Sequence, residues 1–176
     1  MACDNLSLGR LKPCKDSVGG LKAVYFINYG DIPVITFDST DTDVIDSIGT
    51  SVSAYKYDVH FMSSLTQNVQ ASLENGTVAY EQSLELSLPK LSKEDNKELK
   101  LLAHGSPHVV VEDQNGNYFL AGAVNGMDVS AGTIVTGTAL GDMSGYTLTL
   151  TGMERQPANF LVSDLTSAGG AIVDGV

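Results

Sequence analysis

Leu65-Thr-Gln-Asn-Val-Gln-Ala-Ser-Leu73, Glu74-Asn75-Gly76-Thr77 and Val78-Ala-Tyr-Glu-Gln-Ser-Leu-Glu-Leu-Ser-Leu88 together decide the fold. In the last stretch Leu84, Leu86 and Leu88 alternate with Ser83, Glu85 and Ser87, the period of two that sends successive side chains to opposite faces of a strand. Asn75-Gly76 between two such runs signals a hairpin, because a tight turn there needs central residues that tolerate positive φ. Just upstream, Tyr55, Tyr57, Val59 and Phe61 alternate with Lys56, Asp58 and His60, which predicts a half-buried strand with the aromatics on its apolar face. Residues 52–88 therefore read as a meander of long antiparallel strands. The tyrosines read as core or subunit-interface residues rather than a stacking platform for sugars or bases.

The same signatures recur on both sides. Downstream, Val109 to Glu112, the turn Asp113-Gln114-Asn115-Gly116 and Tyr118 to Ala123 form a second Asn-Gly hairpin, followed by a short strand at 127–129. Tyr146-Thr-Leu-Thr-Leu-Thr-Gly152 alternates strictly and is a strand. Between these, residues 130–145 hold Gly132, Gly137, Gly141, Asp142 and Gly145 and read as a mobile loop. Upstream, the apolar run Leu21 to Asn28, bounded by Gly20 and Gly30, reads as a fully buried strand, with a second short strand over Val34 to Phe37. One helix is predicted, over about 92–104. Ser92 caps its free amides, Glu94 and Asp95 sit at its positive end, and Gly105 and Pro107 stop it.

The expected fold class is mainly β (α+β), with one flanking helix. Three segments are expected: an N-terminal assembly arm (1–20), a β domain (21–157) and a C-terminal arm (158–176) whose low charge and terminal glycines read as flexible or partner-ordered. At 176 residues the chain is long enough for one domain with a real core.

A net charge of −11 argues against a surface that grips phosphate backbones, since such binding comes from lysine and arginine displacing condensed counterions. An acidic wall repels DNA and so remains compatible with DNA as passing cargo. No apolar run reaches the ~20 residues of a membrane span, and Met1-Ala2-Cys3-Asp4-Asn5 does not open a secretory signal. A soluble chain assembled in a reducing cytoplasm follows, with Cys3 and Cys14 as free thiols. The triplets at Asn5 and Asn75 then read as chance matches to the glycosylation pattern.

No catalytic constellation emerges. His60, His104 and His108 fall on a strand, a helix end and a strand start, and Gly105-Ser106-Pro107-His108 lacks the second glycine of a nucleophile elbow. Asp38, Asp41, Asp43 and Asp46 crowd one loop, but without the glycine and closing glutamate of an EF-hand they read as a solvated turn. No phosphate loop with its lysine occurs. No enzyme, metal or cofactor is expected.

Three stretches carry a resemblance: Glu74-Asn-Gly-Thr-Val-Ala-Tyr-Glu81, Val109-Val-Val-Glu-Asp-Gln-Asn-Gly-Asn-Tyr118, and the run from Gly141 through the 146–152 strand to Gly-Met-Glu-Arg-Gln-Pro157. In this order, around a single helix, the span from Asp58 to Ala158 resembles phage tail tube proteins and related ring proteins. The N-terminal segment with Gly19-Gly-Leu-Lys-Ala-Val-Tyr-Phe26 is similar to structural proteins of crAss-like phages. The resemblance implies a β-sandwich or small barrel with extended terminal arms and no catalytic residues. It implies a virion structural subunit of the tail, assembled in the host cytoplasm as a closed sixfold or twelvefold homo-oligomer. Other tail, ring or portal proteins would be its neighbours, and DNA would pass as transported cargo without specific binding. Candidate interface residues are Asn75, Gly76, Asn115, Gly116, Gly137, Gly141 and Asp142; Glu74, Glu81 and Glu85 are the candidates for facing the channel. The alternative is a β-sandwich surface-binding module for glycan or capsid decoration, recognisable as a monomer or trimer with an aromatic pocket.

Overall fold

The structure, a computed structural model, describes residues 9–59 and 62–175. Expectations for Cys3, the Asn5 triplet, His60 and Phe61 lie outside these residues. The strands are β1 (Leu21–Ile27), β2 (Thr36–Phe37), β3 (Val44–Ser47), β4 (Val52–Asp58), β5 (Ser64–Ser72), β6 (Thr77–Pro89), β7 (His108–Asp113), β8 (Tyr118–Ala121), β9 (Asp128–Val135), β10 (Gly145–Glu154), β11 (Asn159–Leu161) and β12 (Gly170–Val173); the helix is α1 (Lys93–Leu102). The chain is mostly β, with two sheets and one helix, as the alternation predicts.

One sheet has eight strands in the order β12-β4-β1-β7-β8-β11-β3-β2. It cannot be flat. β3 and β4 are five strand spacings apart in that order, about 24 Å in a planar sheet, yet the chain crosses from Ser47 to Val52 in five residues, which reach at most about 17 Å. The sheet therefore curls into a small barrel. Across the seam Ile48 N donates to Ala168 O (2.9 Å), while Val52 N to Gly169 O (3.0 Å) and Val162 N to Ile45 O (2.9 Å) extend the β12–β4 and β11–β3 ladders on either side of it. Inside lie Tyr25, Ile27, Ile45, Ile48, Val52, Val110, Leu120, Leu161 and Leu165.

The second sheet, β5-β6-β10-β9, is antiparallel throughout and packs against the outside of that barrel. Between the layers lie Val24, Phe26, Leu84, Leu86, Val109, Val111, Met127, Tyr146, Leu148 and Leu150. β1 is sandwiched between both cores, so Ala23 to Ile27 are all buried, which is why that stretch reads as a continuous apolar run rather than an alternating one. α1 closes one end of the sandwich through Leu99. Ser92 Oγ accepts from Asp95 N at 2.9 Å as the expected cap, and the Tyr146 hydroxyl donates to Ser92 O.

Three expectations are corrected. Of the expected C-terminal arm (158–176), the described residues 158–175 are built into the fold: β11 and β12 are strands of the barrel, and Leu161, Leu165 and Ala168 are buried in its core. Low charge and glycine there mark tight packing, since Gly169 (φ +104) passes against the Gly49 carbonyl with no room for a Cβ. Residues 130–135 are not loop but the last six of the eight residues of β9, paired with β10 as far as Val135↔Gly145. In β4 Tyr57 packs between the layers on the face the aromatic alternation predicts, while Tyr55 on that face stands 40 % exposed and the barrel core takes Val52 and Ala54 from the other; with a core on each side of the sheet, the alternation names only one of two buried faces.

Candidate assembly surface

The four-stranded sheet turns one face to the barrel and the other to solvent. Register places Thr66, Asn68 and Gln70 of β5, Glu81, Ser83 and Glu85 of β6, Thr147, Thr149 and Thr151 of β10, and Ala131 and Thr133 of β9 on the solvent face. Two of the acids expected to face a channel, Glu81 and Glu85, thus stand on one broad face, with Gln70 Nε2 donating to Glu81 at 2.9 Å. Glu74 is at the tip of the β5–β6 hairpin. The two hairpins, residues 64–89 and 128–154, contain six carboxylates and no lysine, arginine or histidine. Their face is hydroxyl-rich and purely acidic, and so it repels a polyanion without offering it an ion pair.

Both borders of this sheet are open. Among the described residues β5 and β9 pair on one side only, and they have similar lengths, nine and eight residues, which leaves two rows of unpaired backbone groups about 27–30 Å long. The β5–β6 hairpin also outruns its core. Val69 and Val78, on the inward-facing side, are 64 % and 56 % exposed, and Leu73 at the tip is fully so. Asn75 and Gly76 (φ +62) make the turn at this tip.

The other candidate interface residues hold local structure. Asp142 Oδ2 accepts from Thr138 N (2.8 Å) and Ala139 N (2.7 Å), which depresses its carboxyl below the usual range and staples the β9–β10 loop. Gly137 (φ +75) lies where a Cβ would meet that of Asp142, and Gly141 stands in open space. The same loop carries Leu140, fully exposed. Gly116 (φ +82) completes the β7–β8 turn. Asp113 accepts from the backbone and side chains of Asn115 and Asn117, which lowers its pKa despite the opposing effect of burial. Asn115 binds the backbone of Val18.

Several arrangements escaped the sequence reading. Glu112 is buried at the barrel mouth, where Lys22 Nζ (2.5 Å) and the Tyr25 hydroxyl (3.0 Å) bind its two oxygens. Burial, then Glu112 itself, pushes the Tyr25 and Tyr118 phenols above their ordinary range. Gln82 and Glu154, both buried, tie the two sheets together: Gln82 Oε1 accepts from Gly122 N, and Glu154 Oε1 accepts from Val124 N and Asn125 N. Alternation places polar residues on a strand face but cannot say that the face is covered.

The histidine and serine weighed for catalysis are occupied by structure. His108 is buried with Nδ1 2.6 Å from Gly122 O, Nε2 facing Gly30 N and its ring stacked on Tyr29, while Ser106 Oγ donates to Asp128. In the acidic loop, Asp38 and Asp41 accept from Thr40 N and Asp43 N and so cap their own turns.

A groove of about 330 Å³ opens between the C-terminal end of α1 and the ends of β1 and β4. Phe26, Tyr29, Tyr55, Tyr57, Leu101 and Pro107 line it, with Glu98 at the rim. No family model, curated protein or solved structure matches this chain.

Proposed function

We propose that the chain is a structural subunit of a phage-type tail tube or ring stacked around a DNA channel between portal and tail. The β9 border of one copy pairs with the β5 border of the next. The observation that carries this reading is a four-stranded sheet with two open borders of matching length and an acidic, cation-free outer face. Its strands alternate in direction and are even in number, so β9 runs opposite to β5. A head-to-tail copy therefore continues the antiparallel ladder without a reversal, and a ring satisfies every border when it closes.

In such a ring the faces bearing Glu81, Glu85 and the threonine rows of β10 form the lumen, and the barrels and α1 form the wall. DNA slides past an acidic lining because nothing in it releases phosphate counterions. The exposed undersides of the hairpin tips at Val69, Leu73 and Val78 are then covered by the adjacent copy.

Negative-stain microscopy of the purified chain at high concentration tests the reading. Closed rings with a central hole, sixfold or twelvefold, are expected. A uniform monomer at every concentration overturns it.

A further inference from the structure

We propose that Asn75 is a site of self-modification: its side-chain amide is lost to attack by the Gly76 nitrogen, and the tip of the β5–β6 hairpin gains a carboxylate. The reaction belongs to the free chain and does not depend on whether the four-stranded sheet lines a channel.

The chemistry is that of an asparagine followed by a glycine. Asparagine is thermolabile, and a following glycine, with no Cβ, leaves its amide nitrogen room to approach the side chain. The Gly76 nitrogen attacks Asn75 Cγ and gives up its proton. A new N–Cγ bond forms, the Cγ–Nδ2 bond breaks, and Nδ2 departs as ammonia with that proton. Water then opens the cyclic imide at one carbonyl or the other and leaves aspartate or isoaspartate. Nothing is oxidised or reduced.

Asn-Gly pairs occur at 75–76, 115–116 and 125–126, and the fold treats them differently. Asn115 Nδ2 donates to Val18 O and Asp113 Oδ2, its Oδ1 accepts from Val18 N, and Gly116 N donates to Asp113 O at 3.3 Å. Asn125 Nδ2 donates to Met153 O at 2.8 Å, while Gly126 is buried and its N donates to Gly122 O at 3.2 Å. In both pairs the leaving group and the nucleophile are already engaged. At the hairpin tip neither is. Among the described residues the Asn75 side chain makes no hydrogen bond and Gly76 N donates to nothing; only the Asn75 backbone N is held, by Ser72 Oγ. Both residues are exposed, and open space stands where a Cβ on Gly76 (φ +62) would lie. No bond has to break before the attack, and water reaches the imide.

The product changes the tip in two ways. A new carboxylate stands next to Glu74. Isoaspartate also adds a methylene to the main chain inside the turn that follows the last paired residues, Ser72 and Thr77, and turn length sets the register of a hairpin.

Peptide mapping of the full-length chain by mass spectrometry tests this. The dilute protein is held at mildly alkaline pH in water labelled with heavy oxygen, which marks each new carboxyl, beside a sample unfolded in urea in which all three pairs are free. A melting curve confirms that the first sample is folded. Asn75 is expected to convert in the folded chain within a few-fold of its rate in urea. Asn115 and Asn125, whose hydrogen bonds must open first, are expected to be slowed roughly tenfold or more against their own rates in urea. Slowing of Asn75 as great as that of the other two, or conversion of Asn115 or Asn125 as fast as Asn75 in the folded chain, overturns the proposal.

Discussion

Asn115 grips the backbone of Val18 with both ends of its amide: Val18 N donates to Oδ1 at 2.9 Å, and Nδ2 donates to Val18 O at 2.9 Å. The tip of one hairpin thereby fixes the point at which the N-terminal arm leaves the body. Replacing Asn115 with Ala removes both bonds at an exposed site, worth about 1 kcal/mol or less in stability. Hydrogen exchange at the Val18 amide should accelerate severalfold while β1 stays protected. Unaltered protection at Val18 would mean that the clamp does not hold the arm.

The C-terminal segment is a structural part of the barrel. Leu165 is 1 % exposed in its core, so Leu165→Ala is expected to cost about 2–5 kcal/mol, read from urea unfolding. A chain ending at residue 157 loses β11 and β12 and should fail to fold cooperatively. A truncated protein that melts like the full chain contradicts this.

Alkaline pH should unfold the protein through the Glu112 cluster. Burial and the neighbouring Glu112 hold the Tyr25 phenol above its ordinary value of 10.0, and Tyr118 shifts the same way. The folded state therefore keeps protons that the unfolded chain releases. Stability is fully present below pH 10 and declines as pH rises beyond it. Tyr25→Phe should flatten this alkaline limb, even though it loses the bond to Glu112. A limb of the same slope in the variant would show that another group governs it.

Acid acts on the loops with the opposite sign. Asp113 and Asp142 both have carboxyls held below the ordinary value of 3.8 by hydrogen bonds from their own turns. Their contribution is present above that pH and is lost as pH falls through the depressed folded values. Protection of the Thr138 and Ala139 amides, which donate to Asp142, should fall in that window relative to intrinsic exchange at the same pH, and Asp142→Asn should bring the same loss of protection at neutral pH. Protection factors that stay constant through that window argue against the staple.

Charge reversal probes the proposed lumen. Glu74→Lys, Glu81→Lys and Glu85→Lys together place cations on a sheet that has none. Assembled particles should eject their genome more slowly, and the purified variant should retain DNA in a salt-dependent manner. Ejection at the parental rate removes these residues from the channel.

How much of this was legible beforehand follows from what alternation encodes. The two Asn-Gly turns, the Thr-Leu repeat of β10 and the capped helix are local patterns whose geometry depends only on neighbours in sequence, and they appear where the residues place them. The acidic, cation-free composition of the two long hairpins was likewise fixed in the chain. What sequence could not decide is which surfaces are covered twice. A sheet that curls on itself has a core on each side, so β4 buries Val52 and Ala54 on the face opposite its aromatics, and the glycine-rich tail beyond Pro157 becomes barrel wall. The pairing of Glu112 with Lys22 and Tyr25 and the open borders of β5 and β9 are of the same kind. Each depends on residues distant in sequence that only chain closure brings together or leaves apart.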